Sequence, residues 1–293
     1  MNNYKRRDFL KLGGGLAIGI GMAPGISRLI SEQEMDDAKK KLKNYGLQLW
    51  SVRDDMLKDP KGTLKQVASY GYKQVESFEG QKGIFWGMTN KEFKSYMDEL
   101  GMTIISSHCN IDKDFEQKAA DAAEIGMKYL MWPYKGPQKS IDDFKRFADD
   151  FNNRGAICKK NGIRFAYHNH DYSFKEIDGQ LPQDVMMKNT DPLSVDFEMD
   201  IYWVVTAGQD PQAWIKKYPF RFRACHVKDR IKGSAEHDAS CVLGEGSIDF
   251  PKILKTAKSY GMEYYIVEHE RWDNTTPLKA AEADSGYMKK LKV

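Results

Sequence analysis

Four side chains able to bind a cation sit at or near the ends of four short, largely apolar runs: His168 in 163–168, Asp200 in 193–200, His226 in 222–227 and Glu268 in 264–268. Successive side chains of a strand point to opposite faces, so residues two apart share one. On that parity Ala166 joins His168, Ala224 joins His226, and Ile266 joins Glu268. In Val195-Asp196-Phe197-Glu198-Met199-Asp200 the same rule sorts three apolar residues onto one face and three carboxylates onto the other. Ionised carboxylates buried on a central strand need cations or hydrogen-bond donors beside them. Two imidazoles and two carboxylates form a mixed N/O ligand set, suited to Mn²⁺, Zn²⁺, Co²⁺ or Fe²⁺ rather than to calcium, which prefers an all-oxygen shell. The expectation is one divalent metal ion held by His168, Asp200, His226 and Glu268, with Glu198 one layer below Asp200 as an orienting or ligating group.

Elements must bring these residues together. From Tyr45 onward, β-branched or aromatic runs alternate with longer amphipathic segments, the pattern of βα units around a parallel sheet. Strands are expected at 46–50, 72–78, 103–108, 129–132, 163–168, 193–200, 222–227 and 264–268. Helices are expected near 61–70, 89–100, 115–126, 140–161, 182–189, 210–218, 249–260 and 277–290. Gly71, Gly101, Gly126, Gly162 and Gly261 fall between a helical pattern and the next strand, where helices close on a left-handed residue. Eight such units predict an α/β chain with a single (β/α)₈ TIM barrel domain over 45–293, whose site lies at the C-terminal ends of the strands. No Gly-x-Gly-x-x-Gly follows a strand, which leaves an open nucleotide-binding sheet unsupported.

The remainder of the sequence bounds the setting. The 45 basic and 42 acidic residues are mixed along the chain, without the basic stripe that nucleic acid requires. Residues 1–30 differ from the rest of the chain: Lys5-Arg6-Arg7-Asp8-Phe9-Leu10-Lys11 precedes a short, glycine-rich apolar run, the build of a twin-arginine-type export signal. That run is too short for a stable membrane span, so a periplasmic destination is expected. Residues 31–44 read as a linker or short N-terminal helix. Cys109, Cys158, Cys225 and Cys241 show no paired spacing, so no disulfide framework is indicated.

Several segments carry a resemblance. Tyr167-His168-Asn169-His170-Asp171, Asp200 followed by Gly208-Gln209-Asp210-Pro211, His226-Val227-Lys228-Asp229, Gly244-Glu245-Gly246-Ser247-Ile248-Asp249-Phe250 and Val267-Glu268 together resemble the sugar phosphate isomerase/epimerase group of xylose isomerase-like TIM barrels. The resemblance implies a metal at the barrel mouth, held at the positions of His168, Asp200, His226 and Glu268. It also implies a small-molecule sugar as substrate. One departure matters: His168-Asn169-His170 stands where the group usually has Glu-Asn-His. One of the two carboxylates that commonly shuttle a proton across an enediolate is thus an imidazole, as in exported members thought to act on 3-keto-glycosides.

These features imply isomerisation or epimerisation through proton abstraction next to a sugar carbonyl, or elimination from a keto-glycoside on the same site. Glu268 is the expected base, with His168 as a further acid or base and Lys228 as an oxyanion contact. His108, His170, Trp50, Glu76 and Arg53 are expected to bind substrate. Trp86, Trp132 and Trp203 are further stacking candidates. His237 in a polar loop and His269, facing the helices by parity, are read as outside the site. A non-catalytic sugar-binding protein and an endonuclease IV-type phosphodiesterase are the alternatives; the chain's six histidines and missing basic groove argue against the latter. Related barrels often associate, so a homo-oligomer is an open expectation with no legible interface.

Overall fold

Eight short parallel strands close on one another: β1 (Gly46–Gln48), β2 (Gln74–Phe78), β3 (Thr103–His108), β4 (Tyr129–Trp132), β5 (Arg164–His168), β6 (Val195–Asp200), β7 (Phe222–Val227) and β8 (Tyr264–Val267). Neighbours pair in chain order, and β1 pairs with β8 through Gly46↔Ile266 and Leu47↔Val267, which leaves no barrel edge. A computed structural model of the chain describes residues 41–42 and 44–293. The expected export signal at 1–30 lies outside the described residues, as does the 31–44 segment apart from Lys41, Leu42 and Asn44. Lys41–Val293 forms one compact unit. Among the described residues no helix is long and apolar enough to cross a membrane. The four cysteines are free thiols.

The helices are α1 (Arg53–Lys58), α2 (Pro60–Tyr70), α3 (Asn90–Glu99), α4 (Phe115–Glu124), α5 (Ile141–Lys160), α6 (Pro182–Asn189), α7 (Ile201–Thr206), α8 (Pro211–Lys217), α9 (Phe250–Ser259) and α10 (Pro277–Met288). Their starts are written locally. Thr89 with Glu92 and Ser140 with Asp143 form capping boxes that satisfy backbone N–H groups of the first turn. Gly71 closes α2 at a φ of 104°, a conformation that a Cβ would strain.

The barrel wall is apolar outside and largely polar inside. Val75, Phe165, Phe197 and Val267 on the outer faces merge with Leu64, Phe151 and Leu254 of the helices into one continuous core. Within the barrel only a small apolar cluster forms, from Tyr129, Met131, Ala166 and Ala224. Asp196, deep on β6, is satisfied by Arg164, whose Nη2 donates to Oδ1 at 2.8 Å, and by the Tyr129 hydroxyl at 3.1 Å.

Two expected boundaries move for identifiable reasons. β1 stops at Gln48 rather than at residue 50, because the Gln48 side-chain oxygen accepts the Trp50 N–H at 3.0 Å and starts a 3₁₀ turn over Leu49–Val52. After β6 the chain turns at once into α7, a helix absent from the expectation, since the Asp200 carboxylate caps it by accepting the Trp203 N–H at 3.1 Å. A third difference is one of parity. Simple alternation puts Ile104 on one face with Ser106 and His108. Val75 pairs with Ile104 and Glu76 with Ser106, so one extra residue is inserted in β3. The bulge sends Ile104 to the outer core while Ser106 and His108 face inward.

Candidate active site

Strands β5 to β8 bring His168, Asp200, His226 and Glu268 to the C-terminal end of the barrel, where all four are buried. Asp200 and His226 are direct register partners. The Asp200 Oδ2 atom lies 3.8 Å from His168 Nε2 and 3.8 Å from His226 Nδ1, and His226 Nδ1 lies 3.2 Å from Glu268 Oε2. Asp200, His226 and Glu268 each offer a ligand atom within 4.8 Å of the others, whereas His168 meets that distance in a second group, with His108, Glu198 and His226, and joins the first through its 3.8 Å approach to Asp200. Asp200 Oδ2 makes no hydrogen bond although it is buried, and His226 Nδ1 has the Glu268 carboxylate as its near neighbour. A buried polar atom without a partner costs about 1–3 kcal/mol. Such an oxygen facing ring nitrogens of His168 and His226, with the Glu268 carboxylate beside them, fits a divalent cation of the Mn²⁺, Zn²⁺, Co²⁺ or Fe²⁺ class.

A second layer of charge lies beneath. Glu76 Oε1 accepts from Gln48 Nε2 at 2.7 Å and from His226 Nε2 at 2.8 Å, while Ser106 donates to its other oxygen. Glu198 Oε2 accepts from His108 Nε2 at 2.9 Å and from His168 Nδ1 at 3.1 Å. These contacts divide the ring nitrogens by role. His226 points Nε2–H down to Glu76 and leaves Nδ1 facing Asp200 and Glu268, while His168 points Nδ1–H to Glu198 and leaves Nε2 facing Asp200. A carboxylate behind a ligating imidazole fixes its tautomer and raises its basicity.

Burial opposes the charged form of every group here, and the neighbours decide which groups ionise. At Glu76 burial is outweighed by His108 and His226, which hold its carboxyl well below the usual range. At Glu198 burial and the nearby Glu76 charge prevail and push it up to about 7. His108 is raised to about 9, since Glu76 and Glu198 outweigh its desolvation. Burial and the charge at His226 hold His168 well below its ordinary value, so it is neutral. His226 is raised despite burial by Glu198 and Glu268, and Glu268 is lowered despite burial by His226 and Lys228.

Above these layers opens a pocket of about 580 Å³. His168, His170, Glu268 and Glu270 line its ionic side, and Trp50, Phe78, Trp132 and Tyr134 its apolar side. Lys228 is fully buried, ion-paired with Glu270, and 3.4 Å from Glu268 Oε2, with its ammonium 4.9 Å from the ring centroids of both Tyr202 and Trp203. His170 stacks on Trp203 at 5.4 Å, and burial with the Lys228 charge pushes it down to about 3.

Not every expected residue reaches the pocket. Glu76, expected to bind substrate, is instead fully buried in the lower layer and fully engaged by protein donors. Arg53 does not line the pocket: it donates to the Trp50 carbonyl at 3.0 Å, with its guanidinium over the rings of Trp50 and Trp272 at 4.7 and 4.6 Å. His108 lines the pocket, yet its Nε2 is used by Glu198. Of the other tryptophans, Trp86 is buried against Ser77 and Trp203 backs His170, so only Trp50 and Trp132 face the cavity. His269 is buried outside the barrel against Asp284 at 3.0 Å, and His237 bonds Asp171 at 3.1 Å with its ring 4.7 Å from Trp203. Glu270 and Tyr134 are pocket residues that the sequence reading misses. Period-2 parity continued through Ile266 and Glu268 reaches Glu270, whereas Tyr134, in the loop after β4, carries no local signal.

The Gly-Glu-Gly-x-Ile-Asp-Phe stretch is architectural. The Asp229 carboxylate accepts the N–H groups of Arg230, Gly244, Gly246 and Ile248 at 2.8, 2.9, 3.1 and 3.1 Å, tying this loop to the end of β7. A Cβ at Gly246 would stand 2.2 Å from Asp229 Oδ1 and 2.4 Å from the Arg230 carbonyl.

Comparison with known proteins agrees with this fold. The solved structure of a sugar phosphate isomerase/epimerase from Parabacteroides distasonis is 30% identical, covers 85% of this chain and 96% of its own, and superposes with a TM-score of 0.73. The IOLI protein, solved with a bound zinc atom, shares the fold at 14% identity, covering 83% of this chain and 95% of its own with a TM-score of 0.67. Among curated proteins, inosose dehydratase from Clostridium perfringens is 27% identical over 164 residues, which span 50% of this chain and 54% of that enzyme. The chain thus spans about half the length of the curated relatives it matches. Residues 64–291 match the family described as xylose isomerase-like TIM barrel, and the chain belongs to that family.

Proposed function

We propose that the chain is an enzyme that removes a proton from a carbon next to the carbonyl of a sugar or sugar-derived polyhydroxy ketone, using one divalent cation held by His168, Asp200, His226 and Glu268. The observation that carries this reading is the buried, unsatisfied Asp200 Oδ2 atom facing ring nitrogens of His168 and His226, beside Glu268 and beneath an open pocket. When bound, such a cation polarises a carbonyl oxygen and offsets the negative charge developing on it. The zinc in the IOLI protein supports the kind of ion.

Glu268 acts as the base. Of the two carboxylates in the ligand set it is the one that lines the pocket, and His226 and Lys228 keep it ionised. Lys228, 3.4 Å away, steadies that carboxylate and is itself held by Glu270. His170, kept neutral by burial, offers a ring to a substrate hydroxyl.

Two outcomes can follow loss of the proton: return of a proton on the opposite face, which epimerises, or expulsion of the substituent on the next carbon, which eliminates it. Elimination is favoured here. Position 168, where the family's second glutamate usually stands, is an imidazole whose Nδ1 hydrogen is bound to Glu198, so the two-carboxylate shuttle is absent. The dehydratase name of the C. perfringens relative points the same way. Incubation of the metal-loaded protein in deuterated water with 3-keto-glycosides and free ketoses tests the reading by mass spectrometry. Label at a substrate or product carbon supports proton abstraction, and loss of the aglycone or of water identifies elimination. Neither carbon label nor loss of the aglycone or of water, with the metal bound, would overturn it. Export to the periplasm is proposed on Arg6, Arg7 and the apolar run after them, and retention in the cytosolic fraction of a double variant carrying Arg6→Lys and Arg7→Lys would support it.

A further inference from the structure

Five large apolar side chains are prominently exposed among the described residues, and two of them, Trp50 at 40% and Tyr134 at 55%, line the same pocket. Exposed aromatic surface that converges on one cavity marks a contact for a ligand rather than chance. Both rings are braced. Trp50 meets Phe78 edge-on at 5.0 Å and its indole N–H donates to Glu270 at 3.1 Å, while Tyr134 meets His170 edge-on at 4.9 Å.

Charge at the lining argues about the occupant. Glu79, Asp112, Glu268 and Glu270 contribute carboxylates, and among the described residues no lysine or arginine lines the pocket. The nearby cations are engaged: Lys118 with Glu79 at 2.7 Å, Lys228 with Glu270, Arg53 against Trp50 and Trp272, and Lys135 over the Trp132 ring at 3.7 Å. A phosphate brought here would find carboxylates, Glu79 and Glu270 among them already paired with those cations, instead of the free arginine or lysine donors such groups require. At about 580 Å³ the cavity also exceeds what a single hexose fills, lying within the roughly 300–1,000 Å³ of pockets that bury larger ligands.

We propose that the pocket contains a second subsite beside the reaction centre, walled by Trp50, Phe78 and Tyr134, that takes an uncharged ring with an apolar face. The substrate is then a neutral glycoside whose second ring stacks there, and sugar phosphates are excluded. This inference rests on the reading of the pocket as a sugar site and deepens it.

Calorimetric titration of the Mn²⁺-loaded full chain with phenyl β-D-glucoside, cellobiose, methyl β-D-glucoside and glucose 6-phosphate tests it. Phenyl glucoside should bind about tenfold tighter than methyl glucoside, and glucose 6-phosphate should bind most weakly. The cellobiose arm tells whether a second sugar ring serves as well as an aryl group. Trp50→Ala and Tyr134→Ala should each reduce the aryl advantage, read as the ratio of methyl glucoside to phenyl glucoside Kd, to about threefold or less. Tighter binding of the phosphate, an aryl advantage absent from the wild type or intact in both variants, or binding of none of the four would overturn it. Because the readout is binding, absence of both solvent-deuterium exchange and elimination with the aryl preference intact would sink the proton-abstraction reading alone.

Discussion

Glu76 of β2 and His226 of β7 come from non-neighbouring strands and meet across the barrel interior, Oε1 to Nε2 at 2.8 Å. That one contact sets which nitrogen of His226 faces the proposed cation. Glu76→Gln keeps the size and can still hydrogen-bond, but it removes the charge that makes the imidazole a strong donor. It should weaken divalent-metal affinity by about 10–100-fold, as loss of a carboxylate behind a metal-bound histidine typically does, with little change in far-UV circular dichroism. Competition with a fluorescent chelator reads the affinity; an unchanged constant would remove Glu76 from this role.

A bound cation stabilises the folded chain by mass action, about 2.7 kcal/mol at a free concentration one hundred times its dissociation constant. Stripping with EDTA should therefore lower the melting temperature, and Mn²⁺ or Zn²⁺ should restore it. In Asp200→Asn the restoring shift should shrink markedly, because the variant keeps an oxygen able to cap α7 but loses the anionic ligand.

Proton competition gives a pH dependence of definite sign. In the metal-free protein His226 lies above its ordinary value, burial being outweighed by Glu198 and Glu268, so near neutrality it carries a proton that a cation must displace. Metal affinity should rise as pH rises through that raised value and fall as pH drops. Calorimetry in two buffers of different ionisation enthalpy should report proton release near neutral pH; none released would contradict the assigned state.

Glu268→Gln should lower the rate of carbon-label exchange by about 10²–10⁴-fold, the usual contribution of a positioned base. Substrate affinity of the metal-reloaded variant, measured separately by titration, should change far less. Retained exchange would assign the base elsewhere.

Two glycine substitutions separate packing from propensity. Gly246→Ala drives a methyl into Asp229 and the Arg230 carbonyl and should destabilise by about 1–3 kcal/mol. Gly286→Ala, within α10 and with no atom within 4 Å of the added carbon, should stabilise by about 0.5–1 kcal/mol. Urea denaturation of both variants checks the opposite signs.

Much of this site was legible locally. Alternation along 195–200 placed Asp196, Glu198 and Asp200 on one face, because the direction of a strand side chain depends only on its position in the pleat. Helix ends were likewise announced by Gly71, Gly101, Gly126, Gly162 and Gly261, since a C-cap involves residues only a few positions apart. What failed was whatever depends on a partner far along the chain. The bulge in β3 arises from its register with β2, and no parity rule within 103–108 reveals that Ile104 faces outward. Arg53 and Glu76 both belong to residue types that bind substrates, but barrel closure sends one between two indoles and the other beneath two histidines. The sequence by itself determined the strand faces and the chemistry they offer. Only the closed barrel decided which carboxylate meets which imidazole, because those distances depend on strand register and curvature summed around the whole ring.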